Sequence, residues 1–561
     1  MRCLDSRRLT GPNLLWDKPG AVIDVVFEED HPDVAIDAWR TQVRRMLDAV
    51  GWDDGDTCVR RFKDGASLAI SAPVDALYAA TDINDWAFDA ADYIVGGGSE
   101  PDVTGDAKKF RDSIRDESNP NAIALRAEAI ARDIPVLMDS DEISVGLGRY
   151  SRNWALDTVP DLSDVPWDAL GTIPVGVITG TNGKTTSVRL AASIARAAGY
   201  TVGLSSTDWI AAGDTILDAG DYSGPGGARA VLRDRSVDLA LLETARGGLL
   251  RRGLAVDRVD AVLITNVASD HLGEFGVHNV DELADVKWIV TRALEEDSAL
   301  VLNADDDRLA ERAKGSAFNI TWFSPDSENP LLAEQARAGG TTCTVTDGLI
   351  TVTQQGSSRA VVEIDKIPIT FKGAARHNVY NALGAVGLAL GLGISMPNIR
   401  AGLCAMDPND NPGRCNIYDI KGATFLVDFA HNPHGMTAFV NMAAAIPASR
   451  RTLLIGQAGD RSDKDIRDLA ITACASRWDR VVIKEMDDYA RGRDRGETAD
   501  ILYNEFTAQG IPPEKIDRER HELEAVRKLV KDARSGELTA LLIHERRREV
   551  LDYLSEIVTT N

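Results

Sequence analysis

The chain has 561 residues, which implies three or four domains at about 100–200 residues each. Hydrophobic residues make up 44% of it and charged residues 27%, a globular composition that excludes wholesale disorder. The 62 Lys and Arg residues against 87 Asp and Glu give a formal charge of −25. Because phosphate backbones and anionic membranes attract basic faces, this balance argues against a nucleic-acid or membrane partner.

The cysteines and the N-terminus indicate the compartment. The six cysteines are widely spaced and form no CxxC pair, which is typical of reduced thiols rather than of disulfides or a zinc site. Residues 1–17 have no apolar signal-peptide core. The longest apolar run, residues 382–394, is shorter than the roughly 20 residues needed to cross a bilayer. We therefore expect a cytoplasmic protein.

The hydrophobic patterns predict an α/β protein of three domains. Residues 1–165 predict an α+β N-terminal domain and linker, with a strand at 21–27, helices at 35–50, 74–80 and 122–132, a strand at 134–138 and the linker at 151–170. Residues 166–410 alternate strands (173–179, 239–242, 261–265) with helices (185–198, 280–294, 377–392), which is typical of a parallel sheet covered on both faces. Within them, residues 342–371 predict an antiparallel hairpin. Residues 411–561 predict a second, Rossmann-like α/β domain with strands at 424–427, 452–455, 480–483 and 540–543 and a charged helical stretch at 514–534.

A glycine-rich loop lies between the first predicted central strand and its helix: Gly180, Thr181, Asn182, Gly183, Lys184, Thr185 and Thr186. Glycine lets backbone amides point at phosphate oxygens, and the helix N-terminus adds positive potential. In such a P-loop Lys184 reaches the terminal phosphates and the Thr185 hydroxyl completes a Mg²⁺ shell. The general pattern GxxxxGK has Gly where this chain has Ile178. The strand–loop–helix context favours ATP binding over the alternative, a turn with an incidental lysine.

Polar residues follow the next predicted strands. Glu243 ends one strand, and Asn266 follows another and leads into His271. Because ligands bind at the carboxyl edge of such sheets, Glu243 and His271 are candidate Mg²⁺ ligands beside the phosphates. The alternatives are a surface carboxylate and a loop-capping histidine. Lys287 lies in a predicted helix between apolar residues, a pattern that by itself favours extension to solvent.

An ordered series of motifs across residues 172–555 resembles the Mur ligase family. It comprises GTNGKTT (180–186), TNVASDHLGEFG (265–276), ARHNVYNAL (375–383), NPGR (411–414), DFAHNPHG (428–435) and GDRSDKDIR (459–467). Within that family the chain is most similar to cyanophycin synthetases, at residues 7–13, 134–137, 145–150, 241–254 and 484–497. Those enzymes continue from the N-terminal domain into an ATP-grasp domain, whereas this chain reaches the P-loop within about 25 residues. The resemblance implies that the ATP-grasp domain is missing.

The resemblance also implies roles for individual residues. It implies that Lys184, His271, Lys287 and His431 are catalytic; that Glu243, His271, Thr185 and a carbamoylated Lys287 hold metal; and that Asn266, Asn378, Asn381, Arg414 and Asp428 contact the nucleotide together with residues 180–186. The implied activity is an ATP-dependent, ADP-forming acid–amino-acid ligase that acts through an acyl phosphate and is related to the arginine-adding half of cyanophycin synthetase. Its implied partners are a carboxylate acceptor, an amino acid and a separate ATP-grasp enzyme, and its oligomeric state stays open.

Three alternatives remain at this stage. One is a non-catalytic nucleotide-binding pseudo-ligase, and another is a peptidoglycan-precursor or folylpolyglutamate-type ligase. The third is a generic P-loop phosphotransferase. Two arginine clusters, residues 246–252 and 491–495, either bind an anionic acceptor or form internal ion pairs.

Overall fold

The computed structural model describes residues 1–27 and 32–560 and arranges them around four β-sheets. No helix in these ranges combines the length and the apolar character that crossing a membrane requires.

The N-terminal region pairs four antiparallel strands in the order β1-β2-β4-β3 and packs helices on them. Its elements are β1 (Arg2–Leu9), β2 (Gly20–Val26), α1 (Pro32–Val50), β3 (Thr57–Phe62), β4 (Gly65–Ser71), α2 (Leu77–Val95) and α3 (Val103–Glu117). The sequence pattern misses β1 and β3 because arginines and aspartate interrupt their apolar alternation. The helix predicted at 74–80 begins at Leu77 and extends to Val95.

A smaller antiparallel sheet connects this region to the rest of the chain. It comprises β5 (Val136–Met138), β6 (Glu142–Val145) and β7 (Arg152–Ala155), which follow α4 (Pro120–Ala131). The stretch predicted as a linker, residues 151–170, contains β7 and several 3₁₀ turns.

The central sheet has eleven strands in the order β11-β10-β9-β12-β8-β13-β14-β15-β16-β17-β18. The central elements are β8 (Val175–Thr179), α5 (Lys184–Ala197), β9 (Val202–Ser205), β10 (Trp209–Ala212), β11 (Thr215–Ala219), α6 (Pro225–Arg233), β12 (Leu239–Glu243), α7 (Arg246–Arg252), β13 (Val259–Ile264), α8 (Val280–Trp288), β14 (Leu294–Asn303), α9 (Asp307–Ala313), β15 (Asn319–Phe323), α10 (Pro330–Arg337), β16 (Thr341–Thr346), β17 (Leu349–Gln354), β18 (Ser357–Glu363), α11 (Arg376–Gly391) and α12 (Met396–Ala405). The strands from β9 to β16 in that order are parallel, and antiparallel pairs flank them at both edges. Because hydrophobic clusters cover both faces, β8 and β12 are buried along their whole length.

The C-terminal sheet has the order β19-β20-β24-β21-β22-β23 and is parallel apart from β19. The C-terminal elements are β19 (Asn416–Ile420), β20 (Ala423–Asp428), α13 (Pro433–Ala445), β21 (Arg450–Ile455), α14 (Asp463–Ala473), β22 (Arg480–Lys484), α15 (Glu497–Ala508), β23 (Ile516–Glu519), α16 (Glu522–Asp532), β24 (Glu537–Leu542) and α17 (Arg547–Thr560). The charged stretch at 514–534, predicted as helical, is half strand: β23 precedes α16 within it.

The N-terminal segment docks directly on α7. The Thr10 amide donates to the Arg252 carbonyl (2.8 Å), and the Leu254 amide donates to the Pro12 carbonyl (2.7 Å). The approach requires glycine at position 253, where φ is +84° and a Cβ would lie 2.6 Å from the Pro12 oxygen. This contact brings the N-terminal segment against the central α/β unit.

Candidate functional site

A cleft of about 2240 Å³ separates the central and C-terminal sheets. It is lined by all of the sequence-predicted site residues: Gly180, Thr181, Asn182, Gly183, Lys184, Thr185, Thr186, Glu243, Asn266, His271, Lys287, Asn378, Asn381, Arg414, Asp428 and His431. The parallel strands β8, β12 and β13 end at this cleft, so their following loops converge there.

The P-loop has a backbone that only glycine permits at two positions. Gly180 has φ +146°, and a Cβ on it would lie 1.9 Å from Thr265 Oγ1. Gly183 has φ +88°, and its Cβ would lie 2.2 Å from Asn381 Oδ1. The loop then enters α5 at Lys184, whose Nζ donates to the Thr181 carbonyl (3.0 Å). This is the geometry of an anion cradle at a helix N-terminus.

Asn266, which follows β13, stabilises this loop through hydrogen bonds. Its Nδ2 donates to the Asn182 carbonyl (2.9 Å), and its Oδ1 accepts from the Asn182 amide (3.0 Å). The Thr265 hydroxyl donates to the same carbonyl (2.7 Å). The sequence predicts a direct nucleotide contact for Asn266, whereas in this structure its side chain holds the loop backbone.

Lys287 is buried beneath the P-loop. Its side chain on α8 donates from Nζ to the Gly180 carbonyl (2.8 Å) and is 3% exposed. Burial, and then the nearby charge of Lys184, lower the pKa of Lys287 well below its ordinary value. The interpretation that Lys287 extends to solvent is wrong.

Glu243 is buried where β12 meets the cleft. It is 1% exposed, and its carboxylate accepts from the Thr207 hydroxyl (2.6 Å) and the Thr207 amide (3.2 Å). The alternative of a surface carboxylate is wrong. A buried carboxylate with one polar neighbour retains lone pairs for a further cation.

His271 lies in a network that spans both sheets. Its backbone has φ +50°, and its Nε2 lies 2.8 Å from Arg461 Nη2. Burial lowers the pKa of His271 to about 4 against the opposing charge of Asp270. The ligand atoms of His271, Glu274 and Asp460 lie within 4.8 Å of one another. Each of these two carboxylates also pairs with an arginine, Glu274 with Arg246 and Asp460 with Arg491.

His431 faces Asp270 across the cleft, with 3.8 Å between its Nε2 and the carboxylate. Burial of Asp270 raises its pKa, but His431 and then Arg461 outweigh burial and hold the pKa well below its ordinary value. Asp270 therefore stays ionised beside the histidine. The two side chains join the central loop after β13 to the C-terminal loop after β20.

Two of the predicted nucleotide contacts, Asn378 and Asn381, form a buried pair on α11. Asn381 Nδ2 donates to Asn378 Oδ1 (3.0 Å), and Asn378 Nδ2 donates to the Ile369 carbonyl (2.8 Å). Both residues line the cleft beside Gly183.

The C-terminal residues contact the P-loop itself. Arg414 Nη2 donates to Thr185 Oγ1 (3.4 Å), and Asn432 exchanges side-chain amide hydrogen bonds with Asn182 (3.2 Å). Asp428 accepts from the Cys415 amide (2.9 Å), which fixes its carboxylate at the cleft wall. The loop predicted to hold phosphate thus also holds the C-terminal sheet in place.

Sequence reasoning missed a buried charge centre at Asp208. This carboxylate pairs with Arg189 from α5 and with Arg547 from α17, and Arg414 lies 3.9 Å away. Arg189 also donates to Asn411 Oδ1 (2.8 Å). Burial lowers the pKa of Arg189 to about 10. No local signal marks the centre, since Asp208 and Arg547 are 339 residues apart in the chain.

Comparisons with known proteins match this arrangement. Residues 178–389 match the model of the Mur ligase middle domain, and residues 413–542 match the model of the Mur ligase, glutamate ligase domain. The chain is 37% identical to a cyanophycin synthetase of Geminocystis herdmanii over 371 residues, which are 66% of this chain and 42% of that protein. It is 26% identical over 299 residues to a UDP-N-acetylmuramoyl-L-alanyl-D-glutamate–2,6-diaminopimelate ligase of Bacillus cereus, covering 51% of this chain and 57% of that protein.

A solved structure shares the fold. Escherichia coli FolC in complex with ADP superposes with a TM-score of 0.50 at 18% identity, over 69% of this chain and 89% of that one. This confirms the predicted α/β fold class. The chain spans about two fifths of the length of the cyanophycin synthetases that it matches.

Proposed function

The chain carries the middle and C-terminal domains of the Mur ligase family, and from this premise we propose that it is an ATP-dependent, ADP-forming ligase that joins a carboxylate acceptor to an amino acid. The observation that carries the proposal is the glycine-dependent P-loop facing Arg414, Asp428 and His431 across one cleft. The domain limits near residues 165 and 410 stay predictions, and both family matches lie inside them.

The residues near the P-loop fit Mg²⁺. The Thr185 hydroxyl and the Glu243 carboxylate line the cleft and offer the oxygen ligands that Mg²⁺ prefers. When bound, the ion neutralises charge on the transferred phosphoryl group. His271 is a weaker candidate in this conformation, because its Nε2 lies against the Arg461 guanidinium. Lys287 fits the metal set only as a carbamate, and the burial that lowers its pKa favours the neutral amine that carbamate formation needs.

The proposed reaction needs an activated acyl group because a carboxylate oxygen is a poor leaving group. The acceptor oxygen bonds to the γ-phosphorus of ATP and ADP leaves, and the amine nitrogen then attacks the acyl carbon and expels phosphate. Lys184 and the loop amides stabilise the charge on the phosphoryl oxygens. Asn432 and Arg414 tie the C-terminal domain to the loop, and we expect this domain to close further over the bound substrates and so exclude water from the acyl phosphate.

The proposal assigns His431 and Asp270 to the incoming amine. Asp270 stays ionised 3.8 Å from His431 Nε2, and His431 Nδ1 lies 3.1 Å from the Phe429 carbonyl, so an incoming amine would approach the histidine on the side of Asp270. The resemblance to the arginine-adding half of cyanophycin synthetase makes arginine the first amine to test. A separate ATP-grasp enzyme that supplies the acceptor is part of the proposal.

The test is phosphate release from ATP and Mg²⁺, screened over carboxylate acceptors paired with amino acids. Lys184→Ala is expected to abolish turnover, and Lys314→Ala, an exposed lysine paired with Glu311, is the matched control. Lys287→Ala is expected to lose most activity and to recover part of it with added small carboxylates. Full-rate ligation by Lys184→Ala contradicts the P-loop assignment. ATP binding without turnover for every pair favours the pseudo-ligase alternative.

A further inference from the structure

The loop between β13 and α8, which carries Asp270 and His271, has an uncommon backbone. The angle φ is positive at His271 (+50°), Gly273 (+101°), Phe275 (+53°) and Gly276 (+66°). Residues with a side chain are disfavoured in this left-handed conformation and keep it only where the surrounding structure determines it. The loop therefore needs contacts from outside itself to hold this shape.

Hydrogen bonds couple the far end of this loop to His271. Arg246 on α7 contacts both parts, since its Nη1 donates to the His271 carbonyl (2.7 Å) and its Nη2 pairs with Glu274. The Gly273 amide donates to the Val277 carbonyl (2.7 Å), and the Val277 amide donates to the Glu274 carbonyl (3.1 Å), which closes a turn. A displacement of this turn therefore displaces the backbone of His271.

The N-terminal region covers this turn (residues 273–277) with an outer strand of its sheet, β3. Arg60 on β3 donates from Nη1 to the Gly276 carbonyl (3.1 Å). Phe62 is 9% exposed, and its ring lies so close to Gly276 that a Cβ there would be 2.4 Å from Phe62 Cδ1. The centre of the same ring lies 5.6 Å from that of the His278 ring.

Strand β1 adds a third contact. The Arg7 guanidinium lies 4.9 Å from the centre of the Phe275 ring, and Arg7 Nε donates to the Leu250 carbonyl of α7 (2.9 Å). The N-terminal region thus contacts two of the left-handed residues, Phe275 and Gly276, and also the helix that holds the His271 carbonyl.

These contacts are separate from the docking of the N-terminal segment on α7. Hydrogen bonds at Thr10 and Pro12 hold that segment. Arg60 and Phe62 lie on a different strand and contact the loop after β13. Replacing them therefore alters the support of the loop and leaves the docking hydrogen bonds in place.

We propose that Arg60 and Phe62 are positioning residues, through which the N-terminal region holds the loop of His271 in place for catalysis. The inference rests on the proposed ligase function and gives the N-terminal region a role within it. The same loop carries Asp270, whose carboxylate lies 3.8 Å from His431 of the C-terminal unit. Contact with β3 supplies the outside constraint that the left-handed backbone requires.

Hydrogen–deuterium exchange of the full chain measures the loop without any substrate. Phe62→Ala and Arg60→Gln are expected to speed exchange over residues 270–278 and to leave residues 180–186 unchanged, because local opening follows the loss of local contacts. Arg61→Gln is the matched control, since this arginine lies on the same strand and pairs with an exposed aspartate.

Glycine variants test the contact from the side of the loop. Gly276→Ala places a Cβ against the Phe62 ring and is expected to speed exchange over the loop. Gly315→Ala, at a similar φ (+70°) in open space, shows the effect of backbone strain alone. In a double variant with Phe62→Ala the new Cβ has room, so Gly276→Ala is expected to change the exchange less than it does in the wild type.

Turnover shows whether the contact serves catalysis. Phosphate release is measured with ATP, Mg²⁺ and the acceptor and amino acid that give the highest wild-type rate in the screen. We expect Phe62→Ala to lower kcat at least about tenfold, because a misplacement of about 1 Å costs about a hundredfold. Arg60→Gln should lower it about fivefold, the contribution of one hydrogen bond. The KM for ATP should stay within about twofold of the wild type, and Phe62→Leu, which keeps an apolar contact, should restore most of kcat.

The outcomes separate this inference from the ligase function. Calorimetric titration with a non-hydrolysable ATP analogue distinguishes a displaced loop, which leaves nucleotide affinity intact, from general unfolding, which removes it. The inference is overturned if both variants keep wild-type exchange over the loop, if exchange rises while kcat is retained, or if nucleotide affinity is lost in parallel with kcat; in each case the ligase function stands. If the wild type releases no phosphate with any pair, the ligase function fails and the positioning role fails with it.

Discussion

Replacing Asp208 with asparagine conserves volume but removes the negative charge that Arg189, Arg547 and Arg414 share. The Arg189 side chain is 4% exposed, so its guanidinium stays buried without a counter-charge. Removing one partner of a buried ion pair costs about 3–5 kcal/mol of stability. Arg189 keeps its hydrogen bond to Asn411 Oδ1, so we expect the lower end, about 3 kcal/mol.

Urea denaturation followed by circular dichroism measures this change. The matched control is Asp133→Asn, which removes an 85% exposed carboxylate paired with Arg258 and is expected to change stability by less than about 1 kcal/mol. Arg547→Gln removes the ion pair that connects Asp208 to α17 and leaves the buried Asp208–Arg189 pair intact. We expect Arg547→Gln to cost less stability than Asp208→Asn and to weaken nucleotide binding.

The contribution of Asp208 to the free energy of unfolding changes with pH in a predictable direction. Burial raises the pKa of Asp208, but Arg414, Arg189 and Arg547 outweigh burial and hold it below the ordinary 3.8. A depressed folded pKa stabilises the fold above the unfolded pKa, and this contribution is lost as pH falls through the folded value. The difference between wild type and Asp208→Asn should be constant near neutral pH and shrink below about pH 4. A variant within 1 kcal/mol of wild type at pH 7 would refute the reasoning.

Three further changes test the packing around the cleft. Gly253→Ala forces a Cβ to within 2.6 Å of the Pro12 oxygen at φ +84° and should release the N-terminal segment, detected as faster limited proteolysis, whereas Gly105→Ala, in open space on α3, should not. Gly183→Ala should lower the affinity for a fluorescent ATP analogue more than about tenfold, because the new Cβ is strained and meets Asn381. Gly199→Ala is the control: it has a similar φ but open space around the Cβ, so it shows the effect of backbone strain alone. Glu522→Gln leaves Lys484 buried and unpaired and weakens the acceptor of the His544 and Arg546 amides. Urea denaturation should therefore show a loss of about 3–5 kcal/mol in the free energy of unfolding. The double variant Lys484→Met/Glu522→Gln should restore part of this loss.

The nucleotide loop is predictable because its signal is local. The strand β8, the two glycines and the first turn of α5 lie within one short stretch, and each follows from backbone and burial rules that act over a few residues. The ends of β12 and β13 are likewise local, which places Glu243 and Asn266 at the cleft. Their contacts were not predictable, since they depend on the register with β8.

Lys287 and Asp208 show why other contacts of the site cannot be predicted without knowledge of the fold. Apolar neighbours on α8 suggest an exposed lysine tip, and only the packing of α8 beneath the P-loop turns that tip inward to the Gly180 carbonyl. Asp208 follows β9 in a short turn, and its partners come from α5 and α17. Such charge centres depend on chain-distant contacts that no window of sequence contains.

The P-loop and the C-terminal unit are connected through side chains of the loop itself. The Asn182 amide group bonds to Asn432, and the hydroxyls of Thr185 and Thr186 accept from Arg414 and Asn411. The residues that shape the phosphate cradle are therefore the same residues on which the C-terminal unit rests. A ligand shifts a conformational equilibrium only through contacts that differ between its two states. Under the proposed function, phosphate bound in the cradle is therefore expected to shift the equilibrium towards closure of the C-terminal unit over the nucleotide.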